Sequence, residues 1–201
     1  MTGTVRGPAL NELDLLDWKR RVFDLYAEVR RAEPRAGWER WRAVREELFR
    51  DHPQSPSPGY TSLDYFEYDP ALRFVADVEP AEGQTLEIAG SAGSLTRFRR
   101  FARVRFPLGE LDLYWLEAYG GGIFLPFRDA TAGRDTYGAG RYLLDTVKGA
   151  DLGAEEGRLV LDFNFAYNPS CSYDDSWACP LAPPANRLSK PVAAGERHVS
   201  T

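Results

Sequence analysis

The residue types able to do chemistry crowd into one stretch, Arg158 to Glu196. Asp162 and Asn164 sit two apart in an otherwise apolar run that alternates Leu159, Leu161, Phe163, Phe165 with Val160 and Ala166. In a strand that spacing projects both polar side chains from the same face. Strand interiors disfavour Asp and Asn, because these side chains compete for backbone hydrogen bonds. Their presence points either to a polar cavity or to side chains that tie down the following loop. The proline-rich loop, whose backbone donors need partners, favours the tie-down. Arg141, in the glycine-rich run Tyr137 to Tyr142, offers a planar fork that can hold a carboxylate. Together with Tyr137, Tyr167, Asn168 and Asn186, these residues form the candidate ligand-binding set. Asp162 and Glu117 are the candidate general bases. Glu117 falls in phase with Leu111, Leu113 and Trp115, where an unpaired carboxylate is costly.

Cys171 and Cys179 are the only cysteines, and seven residues separate them. That is not the C-x-x-C knuckle of zinc ribbons or redox motifs. With His198 they could supply three ligands at irregular spacing, short of the four-ligand structural pattern. A disulfide closing the loop is open where the redox state allows it. Two reduced, buried thiols are the simpler expectation. Nucleophilic catalysis needs a partner base, and the two histidines, His52 and His198, both lie outside the predicted strands. Neither Gly120-Gly121-Gly122 nor the Tyr137–Tyr142 run has the residues that follow a phosphate or dinucleotide loop. The first reads as a tight hairpin, the second as a place where backbones approach closely. No cofactor is expected.

The elements that must position these groups follow from periodicity. Leu15, Trp18, Val22, Leu25 and Val29 recur at steps of three and four, as on one stripe of a helix starting at Asn11 and ending by Pro34. Trp38, Trp41, Val44 and Leu48 give a second helix from Gly37 to about Arg50, its tryptophans forming a docking face. Prolines 53, 56 and 58 end it, and His52 is placed to cap it. From Tyr60 the period drops to two. Strands are predicted over 63–68, 73–79, 85–89, 99–107, 111–119, 122–127, 141–146 and 158–166, with a last short one around 191–194. The arginines at 97, 99, 100, 103 and 105 read as an anion-binding stripe or, as half-exposed strands normally alternate, a solvated face. The predicted class is α+β, mainly β: an antiparallel barrel-like or strongly curved sheet with two N-terminal helices packed on it. Residues 1–10 read as a flexible terminus. Residues 11–198 read as one domain, divided into a helical segment (11–50) and a β-rich body (60–198). The extended Cys179–Pro184 segment would strap the barrel mouth.

The chain has 201 residues, 43% hydrophobic and 27% charged, an ordinary globular balance. A net charge of -5 lacks the basic footprint of a nucleic-acid binder. No apolar run reaches ~18 residues, and the N-terminus has no signal-peptide core, so a cytoplasmic protein without membrane partners is expected.

Several motifs together resemble the bacterial and archaeal family catalogued as domain of unknown function 1684. They are Tyr65 to Pro70, Phe124 to Gly133, Tyr137 to Leu143, Leu161 to Cys171, Cys179 to Pro184 and Ala194-Gly195-Glu196. The resemblance runs from the first helix to the end of the chain. It implies that the C-terminal motif is the family hallmark. It implies no reaction and carries over no catalytic residue. Three functions remain open from the residues: a small-molecule-binding β-domain, a cofactor-free hydrolase using a carboxylate base, and a structural or interaction module.

Overall fold

A computed structural model describes residues 11–198 apart from Pro58, Ala92 and Ser94. The terminus read as flexible, 1–10, lies outside the described residues. Helix α1 spans Asn11–Val29 and α2 spans Pro34–Asp51. Pro34 does not end the first helix but opens the second: it occupies the first helical turn, where a missing N–H costs nothing. The Glu33 side chain accepts from the Ala36 amide at 3.2 Å as the N-cap. His52 closes α2, donating its amide to Leu48 at 3.1 Å, while its Nε2 lies 3.3 Å from Asp17 of α1. His52 thus caps α2 through its backbone amide, while its ring nitrogens face Asp17 and the Gln54 amide.

The strands are β1 (Arg73–Ala76), β2 (Val78–Ala89), β3 (Leu95–Phe106), β4 (Gly109–Leu116), β5 (Ile123–Phe127), β6 (Arg141–Asp145), β7 (Ala154–Glu155) and β8 (Arg158–Asp162). They form two antiparallel sheets, in the orders β2-β3-β4-β5-β6 and β1-β8-β7. Among the described residues neither sheet closes into a barrel, so of the barrel-like or strongly curved sheet expected from strand spacing the closed form is not seen. One reason lies at Asp77. The single strand expected over 73–79 splits there, β1 pairing with β8 and β2 with β3, so the chain changes sheets instead of continuing round one.

Two further predicted strands are absent as strands. Residues 63–68 make one isolated bridge, Tyr65 to Glu196, and Tyr65 and Tyr68 turn their rings onto Trp41 and Trp38 of α2. Around 191–194 the carbonyls of Val192 and Ala194 accept from the Arg141 guanidinium, not from a neighbouring strand. The run expected as strand to Ala166 stops at Asp162, whose side chain accepts from the Asn164 amide at 3.1 Å and starts a 3-10 turn over Phe163–Phe165.

The β3 arginines form a solvated ladder. Arg103 meets Asp112 at 2.7 Å and Glu110 at 2.6 Å, Arg105 meets Glu110 and Glu79, and Arg97 and Arg99 face Glu117. Ala102 and Val104 point the other way, into the core. The glycines 120–122 make the β4–β5 hairpin, each with positive φ. A continuous apolar core joins both helices to both sheets, including Trp41, Leu48, Leu113, Leu125, Leu143, Leu161 and Phe163. Trp41 is its largest fully buried side chain; its indole donates to Tyr26 Oη at 3.1 Å and its ring meets Tyr65 and Phe165 edge-on.

Candidate functional site

Several residues singled out by type are consumed by the fold. Asn186 works as a piece of strand. Its Oδ1 accepts from the Asp112 amide at 3.0 Å, and its Nδ2 donates to the carbonyls of Asp112 at 2.9 Å and Pro126 at 2.8 Å. Pro126 has no N–H to give β4, so the amide side chain fills that gap in the β4–β5 ladder. Asn164 does the same for a loop: Oδ1 accepts from the Asp69 amide at 2.9 Å and Nδ2 donates to the Asp69 carbonyl at 2.8 Å. The tie-down expected of this pair is present, but Asn164 fastens a distant segment, and only Asp162 holds the loop that follows.

Arg141 is 1% exposed. It does hold a carboxylate, Asp129 at 2.9 Å, and it also donates to the carbonyls of Val192 at 2.9 Å, Ala194, and Glu196 at 3.2 Å. It is an internal clamp for the C-terminal segment, with no open edge for a ligand carboxylate. Glu117 lies past the end of β4, not in the core; its side chain is 29% exposed and faces Arg97 at 3.6 Å and Arg99 at 3.5 Å. A carboxylate so placed is a surface ion pair, not a buried base. The described residues contain no group of three His, Cys, Asp or Glu side chains able to hold a metal ion. His198 stacks edge-on against Tyr137, ring centroids 5.2 Å apart.

The open space lies elsewhere. A cleft of about 720 Å³, counting solvent at its mouth, runs between the helix pair and the C-terminal motif. α1 contributes Trp18, Val22 and Leu25; α2 contributes Trp41, Arg45 and Phe49; β6 and the turn after it contribute Tyr142, Asp145 and Lys148. Of the candidate ligand-binding residues, Tyr167 and Asn168 line it, with Cys179 beside them. Tyr137, Arg141, Asp162, Asn164 and Asn186 do not.

Two ionic features mark this cleft. Arg45 lies over the rings of Trp41, Phe49 and Tyr167, 4.9–5.2 Å from their centroids. Its Nη2 meets both oxygens of the buried Glu196, at 3.0 and 3.2 Å. Glu196 also accepts from the Asn168 amide at 2.7 Å and from the Tyr173 hydroxyl, so that carboxylate is satisfied. Asp145 is different. It ends β6 and is only 8% exposed, yet its nearest cation, Lys148 Nζ, stands 3.7 Å away on a side chain 64% exposed. Burial raises its pKa against the pull of Lys148. Burial, with the Asp145 charge adding to it, likewise raises the pKa values of Tyr26, Tyr142 and Tyr167. Asp145 and Lys148 form a ridge shared with a second hollow lined by Phe98, Leu116 and Phe124.

Residue-type reasoning missed Asp145, Arg45 and Asp129. The signal for Asp145 was a lone carboxylate inside the apolar run Tyr142 to Val147. Asp129 had none until its partner Arg141 was seen to be buried.

Asp162 lines a separate, polar cleft of about 590 Å³, again counting open solvent, with Arg30, Arg73 and Glu155. Its Oδ1 is engaged by Asn164, while its Oδ2 faces Arg73 at 3.8 Å. Burial pushes its pKa up to about 6, against the hydrogen bonds from Asn164 and the charge of Arg73.

Among the described residues no helix is long and apolar enough to cross a membrane. No curated protein matches the chain. A solved structure that does is similar in fold and sequence: the uncharacterized protein from gene locus rrnAC0354 of Haloarcula marismortui, determined by solution NMR. It is 33% identical, with a TM-score of 0.55, over 78% of this chain and 89% of that one. Residues 58–197 match the family described as "Protein of unknown function (DUF1684)". That match takes in the two sheets and the whole C-terminal motif, and the chain belongs to this family.

Proposed function

We propose that the protein binds a small organic cation with an apolar body in the cleft between the helix pair and the C-terminal motif. Asp145 carries this reading. A carboxylate buried in an aromatic-walled cleft, whose paired cation Lys148 is itself exposed, gains from a ligand that brings its own positive charge. Trp18, Trp41 and Phe49 would enclose the apolar body, and few directed polar groups are what such a pocket needs. The Arg45–Glu196 pair is already neutralised and serves as a fixed wall. A cytoplasmic setting accords with the free thiols at Cys171 and Cys179.

The test is calorimetric titration with a matched pair, 3-phenylpropylamine and 3-phenylpropan-1-ol. The amine is expected to bind at least about tenfold more tightly, a difference of about 1.4 kcal/mol, and Asp145→Asn is expected to erase the difference. Equal binding of both probes would remove Asp145 as the counter-ion but keep the cleft. Binding of neither would remove the cleft.

One observation favours a second reading, the cofactor-free hydrolase. Asp162, with its pKa raised to about 6, is poised as a general acid or base in a polar cleft beside Arg73. Ester hydrolysis that rises with pH through about 6 and disappears in Asp162→Asn would establish it. Activity retained in that variant would end it.

A further inference from the structure

The two cysteines take no part in either reading, and their placement is specific. Cys171 lies on a 3-10 turn over Ser170–Ser172, and its amide points at Cys179 Sγ, 3.4 Å away. The Cys179 amide is held by Ser91 Oγ at 3.1 Å, and the Ser91 amide donates to the Cys179 carbonyl at 3.0 Å. The tip of the β2–β3 hairpin thereby fixes one cysteine against the other. Tyr137 Oη sits 3.9 Å from Cys171 Sγ. Between the cysteines Asp175, Ser176 and Ala178 are exposed, while Tyr173 is anchored on Glu196 and Phe49. Cys179 lines the open cleft, and Cys171, whose amide is 3.4 Å from Cys179 Sγ, is buried next to it.

We propose that Cys171 and Cys179 form a reactive dithiol that hydroperoxides oxidise to an intramolecular disulfide, with Cys171 attacking and Cys179 resolving. In the first step Cys171 sulfur attacks one peroxide oxygen. The O–O bond breaks, an alcohol (water, for hydrogen peroxide) leaves with the thiol proton, and Cys171 becomes a sulfenic acid. In the second, Cys179 sulfur attacks Cys171 sulfur. The S–O bond breaks, and the hydroxyl leaves as water with the Cys179 proton. Two thiols and one hydroperoxide give one disulfide, one alcohol and one water.

The division of roles follows from the surroundings. Contacts with Cys179, Ser91 and Tyr137, whose Oη lies 3.9 Å from Cys171 Sγ, draw the Cys171 thiol below its ordinary range against the effect of burial. The same contact, with burial, pushes Cys179 up against the pull of the Cys171 amide on its sulfur. A thiolate at neutral pH is the nucleophile this chemistry needs.

The test uses the full chain, reduced and freed of reductant, exposed to a small excess of hydrogen peroxide at pH 7. Denaturing mass spectrometry is expected to show loss of two hydrogens and of both alkylatable thiols, reversed by dithiothreitol. The reaction is expected to run about tenfold faster than oxidation of free glutathione, because more of Cys171 is thiolate. In Cys179→Ser, dimedone is expected to trap a sulfenic acid on Cys171, while Cys171→Ser stays unmodified over the same interval. Wild-type thiols that remain alkylatable, or that oxidise no faster than glutathione, would overturn the proposal. So would a Cys171→Ser variant that reacts as fast as Cys179→Ser. None of these outcomes depends on the cleft binding an amine.

Discussion

Single side chains here substitute for backbone. Asn164 and Asn186 each give both a donor and an acceptor to one partner residue, as a neighbouring strand would. Replacing Asn186 by Ala strands buried groups of Asp112 and Pro126, each worth about 1–3 kcal/mol, so chemical denaturation should show a loss of several kcal/mol. Arg141→Met should cost about 3–5 kcal/mol, because Asp129 is left as an uncompensated buried charge. Replacing Asp129 as well, by Asn, should recover part of that loss in a double-mutant cycle. Asp162 adds a pH signature. Its folded pKa is raised, so the folded state holds the proton more tightly; its contribution is fully present below the ordinary 3.8 and lost as pH rises through about 6. The difference amounts to on the order of 3 kcal/mol. Wild type should thus lose stability relative to Asp162→Asn between pH 4 and 6.5, as measured by urea melts at each pH. Asp145 has a pKa shifted the same way, and the amine probe needs its ionised form. Binding of that probe should therefore weaken on acidification at a higher pH than an ordinary carboxylate would give.

Elements were legible where periodicity and turn chemistry agree. The helix stripes, the glycine hairpin at 120–122 and most strands follow from residue patterns because one face of each is buried and the other wet. Legibility failed where a side chain ended or replaced pairing. Asp162 stopped a strand that its apolar alternation continued, and Arg141 absorbed carbonyls that would have paired a strand at 191–194. α2 is the element on which the rest leans, its tryptophans docking onto Tyr65, Tyr68 and Phe165 as the docking-face expectation held. Trp41→Ala should cost about 3–5 kcal/mol and remove the floor of the cleft. Gly195, with φ of 73°, allows the close approach of the C-terminal motif; a Cβ there would collide with the Ala166 carbonyl, so Gly195→Ala should destabilise by more than about 1 kcal/mol in thermal melts.

At the scale of the molecule, the candidate site arises from segments far apart in the chain. Trp18, Arg45, Asp145 and Cys179 meet only when the helices, β6 and the C-terminal motif come together. No spacing rule relates such residues, which is why residue type located Tyr167 and Asn168 but not the cleft they border. Among the side chains of Asp162, Asn164, Arg141 and Asn186, unusual types inside apolar runs marked the structural joints of the fold. Asp145 looked no different in the sequence, and its pairing with an exposed lysine rather than a buried partner sets it apart.

The Arg45–Glu196 pair spans 151 residues of chain. On a ribosome adding roughly 5–20 residues per second, α2 is exposed for on the order of ten seconds before its counter-charge is synthesised. During that interval Tyr26, Tyr65 and Tyr68 are already available to Trp41 and Trp38, but Arg45 lacks its counter-charge and Trp41 lacks Phe165. The completed fold is thus a late event in biosynthesis, and chaperone capture of the nascent helix pair should persist until the Ala194-Gly195-Glu196 motif has emerged.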